Sequence, residues 1–165
     1  MLPSEKLRLL ISKQYKIDLD KYAWPEEFKN AIFSIELDTS LESNATRLNE
    51  IYERGFNIGH CGLTSRYLCI NFDATLQYGT CNILKGTKSA PNGEHAWTII
   101  NNLLIDTTLM ICIPLDKMQE FGYIPTATIA KESSQMLSEY DIFNNEYKEL
   151  DKNPDYQKDL YQIKL

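Results

Sequence analysis

Residues 94–108 decide the fold of this chain, and they read EHAWTIINNLLIDTT. Two apolar runs rich in β-branched side chains flank the pair Asn101-Asn102. Asparagine tolerates a positive φ, so this pair suits a two-residue hairpin turn. The turn sets Ile100 opposite Leu103, and we predict two adjacent antiparallel strands.

The predicted hairpin brings His95 close to Asp106. Trp97 then faces Asp106, and because side chains alternate between the two faces of a strand, all three point the same way. Diagonal neighbours in a strand pair are roughly 7–8 Å apart, a gap that long side chains bridge. We therefore expect a hydrogen bond between the His95 imidazole and the Asp106 carboxylate. A three-residue loop would break this arrangement.

Other patterns surround the hairpin. Helices are predicted after Ser4, Pro25 and Asn44, and the apolar residues of the first are Leu7, Leu9, Leu10 and Ile11. A fourth helix, apolar nearly all round, is predicted over 61–72 and should be buried. Short β-branched and aromatic runs predict strands over 76–84, 96–100, 103–105 and 109–113. Helices followed by an antiparallel sheet and a helical tail indicate an α+β fold.

The domain layout follows from these elements. The 165 residues suffice for one domain with a substantial core. We expect a single domain over 1–165, with a helical part at 1–58, a core at 59–125 and a helical tail at 126–165.

Composition excludes several classes of protein. A net charge of −6 argues against a nucleic-acid partner. An apolar run of about 18 residues is missing from the sequence, so no membrane span is expected. The first residues lack the apolar region of a signal peptide, which predicts a cytoplasmic protein or one secreted without such a signal. The spacing of the four cysteines does not fit a zinc site, and we expect no metal and no cofactor.

Cys61 lies where thiol chemistry is favoured. Gly-His-Cys-Gly places it between glycines at the predicted start of the buried helix. The positive end of a helix dipole favours a thiolate. An imidazole such as His95 can take the thiol proton, and a carboxylate such as Asp106 can orient that imidazole. The remaining cysteines, Cys69, Cys81 and Cys112, are interpreted as small core residues.

Three segments resemble the transglutaminase-like branch of the papain-like thiol enzymes. They are Gly59-His60-Cys61, His95-Ala96-Trp97 and Asp106-Thr107-Thr108. The resemblance covers residues 59–108 and implies a helix carrying the cysteine packed on an antiparallel sheet, with flanking helices. Gly62 stands where the family often has a large residue, and Thr107 where it often has proline. The zinc-binding cysteine pairs of the peptide-deglycosylating branch are absent from the sequence.

The resemblance implies acyl chemistry on amide bonds of a protein or peptide substrate, with Cys61, His95 and Asp106 as the triad. Weaker candidates for an oxyanion or substrate contact are Asn57, His60 and Trp97. We expect hydrolysis, by a cysteine peptidase or a glutamine deamidase, because the chain lacks the extra domains of large crosslinking enzymes. Three alternatives remain: a transglutaminase, an acyltransferase that uses a small thioester donor, and a non-catalytic binding module that retains the fold.

Overall fold

Helices and an antiparallel sheet make up the part of the chain that the computed structural model describes, namely residues 3–34, 61–87 and 90–130. The helices are α1 (Pro3–Tyr15), α2 (Glu26–Ile32) and α3 (Cys61–Phe72), and short 3-10 helices cover Leu19–Tyr22 and Leu115–Lys117. The strands are β1 (Thr75–Cys81), β2 (Glu94–Ile100), β3 (Leu103–Asp106), β4 (Ile111–Pro114) and β5 (Tyr123–Ala130). They form one sheet in the order β4-β3-β2-β1-β5, with antiparallel neighbours. The fold is α+β, as the sequence predicts.

The predicted hairpin is present between β2 and β3. Ile100 pairs with Leu103, and Thr98 pairs with Ile105. Asn101 adopts a positive φ of 54°, the conformation for which asparagine was expected at this turn. The two-residue connection therefore sets the register that places the end of β3 beside the start of β2.

Apolar side chains cover both faces of the sheet. One cluster packs α2 and α3 against a face that includes Ala96 and Ile105. A second cluster packs α1 against the other face, which includes Trp97 and Leu104. The alternation of neighbouring residues between these clusters is the period of two that defines a strand. The strands β2 and β3 are consequently covered on both faces of the sheet, and the helices on either side shield them from water.

The first helix differs in detail from its prediction. It begins at Pro3, so Ser4 lies inside the helix rather than capping it, and its side chain faces the core. Leu7 and Ile11, four residues apart, are buried on the same face. Leu9 and Leu10, by contrast, are 50% and 38% exposed, because a helix of this period turns them away from the sheet.

The strands differ from the prediction at three places, and the strand expected over 109–113 begins only at Ile111, after Met110 takes a positive φ of 56°. The strand expected over 76–84 ends at Cys81, and turns follow it up to residue 87. The helical tail expected from residue 126 is wrong for residues 126–130, because they belong to β5, which pairs with β1 at an edge of the sheet. The rest of that tail and the helix expected after Asn44 lie outside the described residues.

Candidate active site

Cys61 is the first residue of α3 and lies half-buried at the edge of a cleft. The first N–H groups of a helix lack partners within the helix, so this end of α3 carries a partial positive charge. The helix ends after Phe72, where Asp73 takes a positive φ of 51°. Its length and burial make α3 a rigid support for the thiol.

Polar contacts fix α3 on the sheet beneath it. The Thr98 hydroxyl donates to the carbonyl of Ser65 at 2.8 Å, and the Ser65 hydroxyl donates to the carbonyl of Ala96 at 3.3 Å. The hydroxyls of Thr64 and Thr107 are 2.6 Å apart. All of these groups are buried, where a lost partner is costly. They therefore fix the rotation and height of α3 relative to β2, and so the position of Cys61.

His95 lies near the start of β2 and is buried between Cys61 and Asp106. Its Nε2 is 2.8 Å from Oδ2 of Asp106. The Cys61 thiol interacts with the His95 imidazole and with the backbone of Ala96, and both interactions lower the pKa of the thiol. Because Nε2 is engaged by the carboxylate, Nδ1 is the ring nitrogen left for the sulfur. The three side chains selected from the sequence thus form one connected chain.

Asp106 is fully buried, and both of its carboxylate oxygens are engaged. Oδ1 accepts the backbone N–H groups of Thr108 at 2.9 Å and Leu109 at 3.1 Å. Oδ2 faces His95 and also accepts the hydroxyl of Tyr123 at 2.6 Å. These contacts fix the rotamer of the carboxylate. A buried charge held by this many donors is well compensated.

Electrostatics favour a thiolate paired with an imidazolium. Burial by itself raises the pKa of Cys61, but the charge and hydrogen bond of His95 outweigh it and lower that pKa below 9.0. Burial by itself lowers the pKa of His95, but the charges of Asp106 and Cys61 outweigh it and raise that pKa. The pKa of Asp106 is held below its ordinary value, because the charge of His95 overcomes the effect of burial. The site therefore suits a nucleophilic thiol with a proton carrier beside it.

A cleft of about 600 Å³ opens beside the thiol. The described residues that line it come from the start of α3 and from β1, β2 and β5: Cys61, Gly62, Arg66, Tyr78, Gly79, Thr80, Glu94, His95, Ala96 and Thr126. This volume is in the range of sites that hold a small molecule or a few residues of a peptide. Cys61 and His95 thus face a space that can admit a substrate, while Asp106 stays behind them.

Gly79 lies opposite His95 in the pairing of β1 with β2. The pairing of β1 with β5 shifts register between Tyr78 and Gly79, as in a β-bulge. A Cβ at Gly79 would collide with the backbone carbonyl oxygen of Ile124. Glycine at this position therefore permits the close approach of β5 at the wall of the cleft.

Of the three weaker candidates for an oxyanion or substrate contact, the structure describes Trp97 alone. Trp97 is fully buried beside His95, and its Nε1 donates to Gln77 at 2.8 Å. It does not line the cleft, so its expected substrate contact is replaced by a packing role behind the histidine. Asn57 and His60 lie outside the described residues.

Two residues near the site were not selected from the sequence. Tyr123 reaches Asp106 from β5, a contact between distant strands with no local signal. Arg66 is buried and lines the cleft. Its guanidinium lies 5.2 Å from the ring centre of Tyr78, and its Nη1 donates to the carbonyl of Gly62, one turn earlier, at 3.3 Å.

The pKa values of the other three cysteine thiols shift in the opposite direction to that of Cys61. All four cysteines are free. Burial raises the pKa of Cys69 to about 12, raises that of Cys81 further and raises that of the half-buried Cys112. Cys61 is thus the one cysteine of the described residues whose pKa is lowered.

Comparison of the chain with protein families, curated proteins and solved structures found no match. Within the residues described, no group of three or more His, Cys, Asp or Glu side chains is placed to hold a metal ion. A search of the same residues finds no helix with the length and apolarity needed to cross a membrane.

Proposed function

We propose that this chain is a thiol-dependent acyl hydrolase that acts on amide bonds of a protein or peptide. The observation that carries the proposal is the connected chain of Cys61, His95 and Asp106, with its sulfur end at a cleft and its carboxylate end fully buried. Hydrogen bonding and electrostatics both favour the ion pair that attacks a carbonyl. The arrangement also supports the resemblance to transglutaminase-like enzymes, because the cysteine begins a helix packed on the strand that carries the histidine.

The first half-reaction forms a thioester. The Cys61 thiolate attacks the carbonyl carbon of the amide, and the carbonyl oxygen becomes an oxyanion. The N–H groups in the first turn of α3, beginning at Cys61 and Gly62, are available donors for that oxyanion. The imidazolium of His95 then gives its proton to the leaving nitrogen, the carbon–nitrogen bond breaks, and ammonia or an amine departs.

The second half-reaction restores the enzyme. Water attacks the thioester while the neutral His95 imidazole accepts one of its protons. The carbon–sulfur bond breaks, the carboxylic acid is released, and the proton on His95 pairs again with the Cys61 thiolate. Asp106 remains ionised throughout and stabilises the imidazolium of each resting state.

A pool of synthetic peptides, each with one glutamine, tests this proposal. The pool is incubated with the wild-type protein, with Cys61→Ala and with Cys112→Ala, and the products are identified by mass spectrometry. Conversion of the glutamine carboxamide to a carboxylate identifies a deamidase, and backbone cleavage identifies a peptidase. We expect one of these products with the wild type and Cys112→Ala, and neither with Cys61→Ala. Product formation by Cys61→Ala would overturn the proposal.

Added amine separates hydrolysis from transamidation. The same pool is incubated with a primary amine in excess, so that the thioester can be resolved by either nucleophile. We expect the hydrolysis product to dominate. A predominant amine adduct on glutamine would assign the chain to the transglutaminases instead.

A further inference from the structure

We propose that Tyr123 is a positioning residue that sets how strongly the Asp106 carboxylate attracts the positive charge of the His95 imidazolium. The hydroxyl of Tyr123 and Nε2 of His95 meet the same carboxylate oxygen, Oδ2, at 2.6 Å and 2.8 Å. This inference rests on the proposed function only in that it concerns the same ion pair. Its test needs no substrate.

Tyr123 and Asp106 belong to strands that are not neighbours in the sheet. It begins β5, whereas Asp106 ends β3, and the strands β1 and β2 lie between them in the sheet. The Tyr123 side chain is 1% exposed and packs edge-on against Trp97, with ring centres 5.2 Å apart. The ring is therefore fixed by packing, and its hydroxyl reaches the carboxylate on the face of the sheet that packs against α1.

The hydroxyl acts as the donor in its contact with Asp106, because an ionised carboxylate can only accept. Burial raises the pKa of Tyr123 well above its ordinary value, and the charges of Asp106 and Cys81 raise it further. Burial likewise raises the pKa of Cys81. Both groups stay protonated, so the tyrosine proton is directed to Asp106.

Sharing one oxygen has a definite consequence for the site. A donor on Oδ2 spreads the negative charge of the carboxylate and weakens its attraction for the imidazolium. Titratable groups reach this site from four elements: Cys61 on α3, Asp106 on β3, Cys81 on β1 and Tyr123 on β5. Of these, Tyr123 is a neutral group that touches the carboxylate without facing the cleft described above. It can therefore change the stability of the Cys61–His95 ion pair without contacting a substrate.

The test is the titration of His95 in Tyr123→Phe, followed by nuclear magnetic resonance of labelled histidine. The chain has only two histidines, so the spectrum of His60→Gln assigns the His95 signal. Without the hydroxyl, we expect the His95 midpoint to move to higher pH. Alkylation of Cys61 by iodoacetamide at acidic pH should rise roughly two- to tenfold, the range of an ordinary hydrogen bond. Tyr22→Phe is the matched control, because Tyr22 packs against Phe121 in the same core, and should leave both readouts unchanged.

A second variant keeps the test decisive if Tyr123→Phe does not fold. Site-specific replacement of Tyr123 by 3-fluorotyrosine retains the ring and makes its hydroxyl a stronger donor. The His95 midpoint should then move to lower pH, opposite to the change in Tyr123→Phe. An unchanged midpoint in either folded variant, or a shift of both in the same direction, would overturn the inference. A failure to find an amide substrate would leave these titrations unaffected.

Discussion

Nε2 of His95 and Oδ2 of Asp106 are 2.8 Å apart, in a site where both side chains are buried. Each residue changes the titration of the other: the pKa of His95 is raised and that of Asp106 is lowered, in both cases against the effect of burial. The pair is therefore ionised together, and because Nε2 is engaged by the carboxylate, Nδ1 is the ring nitrogen left for Cys61.

Replacement of the carboxylate should reduce turnover with little change in shape. In Asp106→Asn, the site loses the charge that favours the imidazolium and the acceptor that fixes its tautomer. We expect the rate constant kcat to fall by roughly 100- to 10,000-fold, with a smaller effect on KM. Asp116→Asn is the matched control, because Asp116 is exposed in the 3-10 helix after β4. Near-normal kinetics in Asp106→Asn, or a comparable loss in Asp116→Asn, would show that another group orients His95.

The pH dependence of alkylation should distinguish Cys61 from Cys112. A lowered pKa leaves Cys61 as a thiolate at pH values below 9.0, so its alkylation should persist there and decline only as the pH falls through the lowered pKa. Burial raises the pKa of Cys112, which should therefore react mainly above pH 9.0. Peptide mapping after brief exposure to iodoacetamide reports both thiols in one sample. Parallel profiles for the two residues would contradict the ion pair, and they are what a non-catalytic binding module predicts.

Gly79→Ala should destabilise the sheet beside His95. The added methyl group meets the carbonyl oxygen of Ile124, so β5 must move away from β1. We expect a loss of about 1–3 kcal/mol in the free energy of unfolding, measured by urea denaturation. Thr80→Ala, at the next position of β1, is the control and should cost less. Equal stability of Gly79→Ala and the wild type would mean that the bulge does not require glycine.

Thr98→Val tests the contact that holds α3 on β2. The substitution keeps the shape of the side chain but removes the donor to Ser65 and the partner of the Cys69 thiol. We expect a stability loss of about 1–3 kcal/mol, because a buried carbonyl loses its hydrogen bond. Thr128→Val is the control, since Thr128 is exposed on β5 and should change stability by less than about 0.5 kcal/mol. Similar losses in the two variants would argue against this role for Thr98.

The hairpin and the three residues of the ion-pair chain could be predicted because their signals are local. The Asn101-Asn102 pair sets the register of β2 and β3, and that register alone places Asp106 diagonally from His95. Cys61 was found from its flanking glycines and from the helical pattern that follows it. Each of these inferences needs only neighbouring residues and the geometry of one element.

Residues that depend on distant packing were not predictable in the same way. Tyr123 begins a strand whose sequence, YIPTATIA, contains proline and lacks a clean alternation, and its partner Asp106 is 17 positions away. Arg66 is buried because the ring of Tyr78 lies beside its guanidinium, which no pattern within α3 indicates. In α1, four apolar residues within one and a half turns leave the buried face ambiguous until the sheet is in place.

The most direct measurement of the central claim is a search for the thioester on Cys61. The protein is mixed with the glutamine peptide pool, quenched in acid within the first turnover, and digested for peptide mapping by mass spectrometry. Our account predicts an acyl group from the peptide attached to the segment that contains Cys61, in the wild type and in Cys112→Ala. Turnover of the pool by a protein that never carries an acyl group on Cys61, or an acyl group found instead on another residue, would contradict it.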